Sequence, residues 1–426
     1  MARISTITIY LIFLAVSLIY LTEWHLILRL ETPQPIFGFD LTSFINFSCI
    51  FFILFVIFLN IADIKLNWMV IFFILFNLIF LCLNYIFADP NLKFAVLWIY
   101  WSIFVTIFTL LIVDKYYNTL KYTSNLLFIL HIPFAVFVIM MIIFYGGPFG
   151  KDVLPGALFS PWGYNEITHP FELSNGSWNN LWFTKHAFGW CFVFLITYAY
   201  FVKKNIWLPL ILVLFLLMNR SVLVGGIGLL TIFFLYSKLK FAHKTLIILL
   251  FTVFIIIFFS FYINEIFITL SKESRWTLLS IIPWISYDFP FGIGVGRFHQ
   301  PDINSMLVEQ YGRDIYIDNY VRQFPHLLDM GWLIPPVTES NIVIMISSFG
   351  IFYLLIYFAF FLKIVHFLMI NFEHIDNFSK FLVSNAILVL IAGVGEDNAH
   401  SLYYWINSGF LIGVYYKYST KSYFKN

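Results

Sequence analysis

The chain has 426 residues, 61% of them hydrophobic and 11% charged, with a formal net charge of +2. A soluble globular domain carries about a quarter charged residues, which excludes that class, and so small a net charge gives no basis for binding nucleic acid. The three cysteines, Cys49, Cys82 and Cys191, all fall inside apolar runs, so the sequence carries neither a disulfide framework nor a metal-ligand spacing.

A lipid-embedded helix needs about 20 apolar residues, because the hydrocarbon core is ~30 Å thick and each residue rises ~1.5 Å. Runs of that kind recur along the whole chain and predict an all-α polytopic membrane protein of about twelve spans. The first, Ile4 to Leu21, is followed by Thr22-Glu23-Trp24 rather than the small residues of a cleavage site, and reads as a span. The others lie near 42–61, 66–87, 94–113, 125–145, 186–202, 206–219, 221–236, 245–268, 341–362, 381–394 and 402–416. They divide the chain into a first helical block, 1–269, a large loop, 270–340, and a closing block, 341–426.

Between the fifth and sixth runs lies the loop 146–185, rich in Gly, Pro, Asn and Trp, which reads as irregular structure. Its aromatics suit either an interfacial belt or stacking on sugar rings, the belt being the more common use. Asn175-Gly176-Ser177 fits a glycosylation acceptor, a pattern too short to carry weight.

The stretch 206–236 has 31 residues, ~46 Å as one helix, too long for one span. Lysines flank it on both sides, at 203 and 204 and again at 238, 240 and 244, so it turns back at Asn219-Arg220. Each arm is then ~21–24 Å long, which leaves Arg220 below the far membrane surface. An arginine there either faces a polar cavity or an anion, or snorkels to the headgroups.

The loop 269–340 begins with a short amphipathic stretch that Ser271 can cap, with Arg275 in its first turn and Pro283 interrupting it. Gly292, Gly294 and Gly296 alternate just ahead of Arg297. Alternate glycines let backbone N–H groups converge on an anion, or simply make a tight turn. Arg313 and Arg322 share this loop with eight acids and suit either surface pairing or anion binding. The loop closes at Pro335-Pro336-Val337-Thr338-Glu339-Ser340, and a long apolar helix is expected at once. Glu339, at the start of that helix and at the membrane surface, is either a dipole-favoured cap or a general base at a cavity mouth. The non-cytoplasmic histidines (25, 169, 186, 299, 326 and 400) have no metal-ligand spacing.

With the N-terminus inside, the short cytoplasmic loops hold 14 of the 24 basic residues, as the positive-inside rule requires. Thirteen of the 17 lysines are cytoplasmic, while six of the seven arginines face the other way. Lysine is the usual topology signal; arginine offers a planar fork that grips phosphate or carboxylate and stays charged when partly buried.

The segments Glu273-Ser-Arg275-Trp-Thr-Leu-Leu279 and Asp288-Phe-Pro-Phe-Gly-Ile-Gly-Val-Gly296-Arg-Phe298 resemble the signature of the O-antigen ligase and polymerase superfamily, in which Arg-x-x-x-Leu leads into a Gly-x-Gly segment of the large periplasmic loop. Asn219-Arg220-Ser221 is similar to the family's arginine at a membrane-embedded turn, and Ser340, Gly350 and Tyr353 keep the spacing of its ligase motif. Glu339 stands where ligases have His, and the loop 146–185 lacks the arginines described for some polymerases.

The resemblance implies a GT-C-like, metal-independent glycosyltransferase without a cofactor, on the periplasmic face of a bacterial inner membrane. Its substrates would be undecaprenyl-pyrophosphate-linked glycans, and a chain-length-regulating membrane protein would be its partner. Glu339, Arg220 and Arg275 are the catalytic candidates, and Arg297, Arg313, Arg322, Ser340, Gly294 and Gly296 the substrate-binding ones. A carboxylate at the acceptor mouth repels the phosphorylated lipid A-core but tolerates a neutral glycan repeat, which favours an O-antigen polymerase over a ligase. A flippase is a third reading, disfavoured because most spans lack charge and the polar residues gather in two external loops.

Overall fold

The computed structural model describes residues 2–28, 41–144, 185–209, 220–237, 282–283, 285–297, 309–310, 340–393 and 401–420. The described residues are mostly helical, with no strand among them. The expected span 245–268, most of 206–219 and the loop 146–184 lie outside them.

Among the described residues are the helices α1 (Ala2–Leu28), α2 (Leu41–Leu59), α3 (Trp68–Phe87), α4 (Leu92–Asp114), α5 (Tyr117–Phe144), α6 (Lys185–Phe201), α7 (Arg220–Tyr236), α8 (Asn341–Phe349), α9 (Ile351–Ile370), α10 (Asn377–Ala392) and α11 (Leu402–Thr420). Among the described residues, α3, α4 and α9 are long and apolar enough to cross a membrane. Their outward faces are apolar as well: Trp68, Ile79, Ile86, Leu355 and Leu362 are all exposed. Such a surface suits an apolar surrounding, where every backbone group must bond within its own helix.

Local chemistry sets the helix starts. The Asn67 side chain accepts from Val70 N–H at 2.9 Å to open α3, and Asn91 accepts from Lys93 N–H at 3.1 Å to open α4. Within α4 the residues Tyr100–Phe104 form a π-helical turn, and the hydroxyls of Ser102, Thr106 and Thr109 bond back to carbonyls three or four residues earlier.

Packing then decides which helix lies inside. In α11 every residue from Leu402 to Val414 is buried, although the segment holds Asn407, Ser408 and two tyrosines. It packs against α4, α9 and α10. A Cβ on Gly409 would fall 2.3 Å from Thr109 Oγ1, so glycine lets the α4 and α11 backbones approach closely, which is how helices associate where burial from water cannot drive them. The polar residues of α11 are served there: Asn385 donates to Asn407 Oδ1 at 2.7 Å, and Asn407 donates to Tyr403 O at 2.8 Å. Aromatic rings fill the rest, with Tyr353 stacked on both Phe76 and Phe349 at 4.7 Å.

Two ends follow from this. Lys115 pairs with Asp63, and Lys417 reaches Asp376 Oδ2 at 3.3 Å, so lysine-bearing turns gather at one end. The turn Ala88–Asn91 between α3 and α4 lies at the other. The run 341–362, expected as one span, is two helices broken at Gly350. Asn341 and Ile342 line the same cavity as Tyr357 and Phe361, whereas one continuous helix would hold Asn341 and Tyr357 ~24 Å apart. Thus α8 folds back alongside the start of α9.

Candidate functional site

The joint at Gly350 is built from backbone that has no partner of its own. A helix leaves its last carbonyls unbonded, and a buried carbonyl without a donor is costly. At the end of α8, Ser347 O accepts from Ile293 N–H at 2.7 Å and Ser348 O accepts from Asn84 Nδ2 at 2.5 Å. Asn84, fully buried one turn from the end of α3, also donates to Phe291 O at 3.3 Å, and its Oδ1 accepts from Val295 N–H at 2.9 Å. One amide therefore ties α3, the curl 289–297 and the end of α8 together. Asn91 N–H adds a bond to Val295 O at 2.9 Å.

Glycine is demanded on both sides of the joint. Gly350 has φ +85°, and a Cβ there would stand 1.9 Å from Pro290 O; at Gly292, φ +86°, it would stand 2.4 Å from Ser348 O. Both clashes are with backbone, which cannot swing aside. The segments 288–297 and 340–353 are thus one interlocked unit.

Arg297 ends the curl. Its N–H bonds Gly294 O at 3.1 Å, and its Nη1 lies 2.5 Å from Asp89 Oδ2. The arginine side chain is 21% exposed and the aspartate 86%. Gly294 and Gly296 are buried beneath it, close to Asp89 O and to the Phe94 ring. The N–H groups of Gly292, Ile293, Val295 and Arg297 are all committed to protein acceptors. The run is therefore a tight turn first, and an anion would draw on Arg297 with the N–H groups of Gly294 and Gly296.

Beside the joint is a cavity of about 50 Å³ between α8, α9, α10 and α11. Its polar side holds Asn341, Tyr357 and Tyr404, the two hydroxyls 2.8 Å apart and Tyr404 also bonded to Asn341. Ile342, Met345, Phe358 and Leu390 supply apolar walls. Ser340 holds the N-cap position of α8 with extended backbone, φ −156° and ψ 129°, and is buried. The Ser340 side chain makes no cap hydrogen bond, and the helix start at Ser340 and Asn341 is enclosed. Glu339 itself, with Arg275, Arg313 and Arg322, lies outside the described residues.

Arg220 is the first residue of α7. Gly225 packs its Cα against Leu388 O and Ala392, while Phe233 meets Phe372 before the start of α10, so α7 and α10 run antiparallel. The Arg220 backbone therefore lies ~7.5 Å beyond Gly225, towards the end where Gly393 lines the cavity.

Sequence reading missed Asn77, Asn84 and Asp89. The first two had a signal: asparagines seven residues apart in an apolar run share one helix face, and polar residues at that depth must be bonded. Asn77 Oδ1 accepts from Tyr353 Oη at 2.9 Å and from Trp98 Nε1 at 3.3 Å, which places Tyr353 of the ligase-like spacing in the core. Among the described residues no group of three or more His, Cys, Asp or Glu could hold a metal. Comparisons with models of protein families, with curated proteins and with solved structures find no match.

Proposed function

We propose that this chain is a twelve-span, GT-C-like glycosyltransferase of a bacterial inner membrane that polymerises undecaprenyl-pyrophosphate-linked repeat units. The lysine-bearing turns face the cytoplasm in this reading, and the Asp89 end faces the periplasm. One observation carries it: the two stretches similar to the O-antigen ligase and polymerase superfamily, 288–297 and 340–353, are interlocked through Asn84, Gly292 and Gly350. An arginine-bearing curl and an enclosed helix start therefore share one end of the bundle.

The chemistry needs two kinds of group. The acceptor hydroxyl gives its proton to the Glu339 carboxylate while its oxygen bonds the donor's anomeric carbon. The bond from that carbon to the pyrophosphate oxygen breaks, and undecaprenyl pyrophosphate departs with the electron pair. Arg297, Arg220 and Arg275 stabilise the leaving charge, with Gly294 and Gly296 N–H groups beside Arg297. Arg313 and Arg322 contact the phosphates further out, Ser340 orients Glu339, and a chain-length-regulating membrane protein docks on the complex.

Purified protein given undecaprenyl-pyrophosphate repeat units without lipid A-core should yield a ladder of products. Glu339→Gln should abolish it, and Arg297→Lys should slow it about ten- to a hundredfold, because the charge remains but the fork is lost. No ladder, with transfer once lipid A-core is supplied, would make the chain a ligase.

A further inference from the structure

Asp89 lies in the turn Ala88–Asn91, whose backbone is held at both ends. Ala88 N–H bonds Asn84 O at 2.9 Å, and Asn91 N–H bonds Val295 O at 2.9 Å. The Arg297 backbone is held too, by its bond to Gly294 O. Only the side-chain ends of the pair are left to move. They differ sharply: the arginine side chain is 21% exposed, and the carboxylate side chain that meets it is 86% exposed.

That asymmetry decides what the pair can do. An aspartate still largely in water loses little when its contact is broken, since exposed ion pairs are weak. The guanidinium that it meets is largely enclosed, so water screens little of its charge from an arriving anion. A more highly charged anion that reaches Arg297 can therefore displace the Asp89 carboxylate. We propose that Asp89 is an exchangeable counter-ion, holding Arg297 in the ligand-free protein and yielding it to the phosphate end of the lipid-linked substrate. This rests on reading Arg297 as a pyrophosphate-binding residue. It deepens that reading, because the carboxylate competes with the ligand on entry and reclaims the arginine when undecaprenyl pyrophosphate must leave. Asp89 is then a regulatory residue of the site, with no part in bond making.

The test is titration of the purified, membrane-reconstituted protein with inorganic pyrophosphate, followed by calorimetry. Asp89→Asn should bind the probe three- to fivefold more tightly than the parent, the range that loss of an exposed competing pair allows. In an Arg297→Gln background the same change should have no effect, because the coupling runs through that arginine. Asp288→Asn removes an equal charge, from a residue bonded to Gln310, and should leave the affinity within error. Unchanged or weaker binding in Asp89→Asn overturns the inference, and so does a gain that persists without Arg297 or is matched by Asp288→Asn. Thermal unfolding checks that each variant is folded, and Asp89→Ala replaces Asp89→Asn if the latter is not. Pyrophosphate bound equally by the parent and by Arg297→Gln, or by neither, would instead overturn the reading of Arg297 itself.

Discussion

Replacing Asn84 by leucine removes one buried side chain that holds two distant segments. The amide makes three hydrogen bonds, to Ser348 O, to Phe291 O and from Val295 N–H. Each is worth about 1 kcal/mol net, and a buried N–H left without an acceptor adds about 1–3 kcal/mol, so the joint should weaken by about 4–6 kcal/mol. Leucine keeps the bulk and restores none of the bonds. The effect should be local, because α3 still packs through Phe73, Phe76 and Phe80. Val295 is fully buried in the parent, so a cysteine there reports detachment of the curl. With Cys82 changed to alanine, the other native cysteines are buried and stay silent. Each 1.4 kcal/mol shifts the opening equilibrium tenfold, so labelling of Val295→Cys by a polar maleimide should accelerate at least about a hundredfold when Asn84→Leu is added. An acceleration below about tenfold, with the protein still folded, would refute the claim that this amide locks the curl to α8.

Gly350→Ala should open the same joint, since φ +85° strains any side chain by about 1–3 kcal/mol and the added carbon meets Pro290 O. Val295→Cys labelling should again rise, while Gly226→Ala, where nothing lies within 4 Å, should leave it unchanged. At the lysine end, Asp376 caps α10 and accepts from Tyr117, Tyr418 and Lys417. Burial acts to raise its pKa but is outweighed by bonds from Tyr117, Tyr418 and Ser379 N–H and by the Lys417 charge, which hold it below the usual carboxylate range. Its contribution is then complete above an unfolded-state pKa of about 4 and fades as pH falls further. Asp376→Asn should lower the unfolding midpoint at pH 7, by an effect of about 1 kcal/mol for a half-exposed cap, and the gap should narrow towards pH 3. A gap that widens on acidification would be the wrong sign.

Much of the bundle was legible because a span is a sum over one continuous run. The runs read at 66–87, 94–113 and 402–416 are the helices Trp68–Phe87, Leu92–Asp114 and Leu402–Thr420. The lysine pattern likewise anticipated which turns gather, because like turns must share one side of a membrane. Arg297 was visible as the residue after alternate glycines, but its partner Asp89 was one acid among many.

What the sequence alone determines here is which stretches are helical and apolar, and which loops carry charge, since both depend on neighbours within a few turns. What only the tertiary structure decides is where those helices break and which polar groups meet. Hydropathy is the same on both sides of Gly350, and the backbone that a side chain there would strike belongs to Pro290, sixty residues earlier in the chain. Asn84 bonds partners 207, 211 and 264 residues away. A buried carbonyl takes whichever donor the fold brings within reach, and no local pattern encodes that distance.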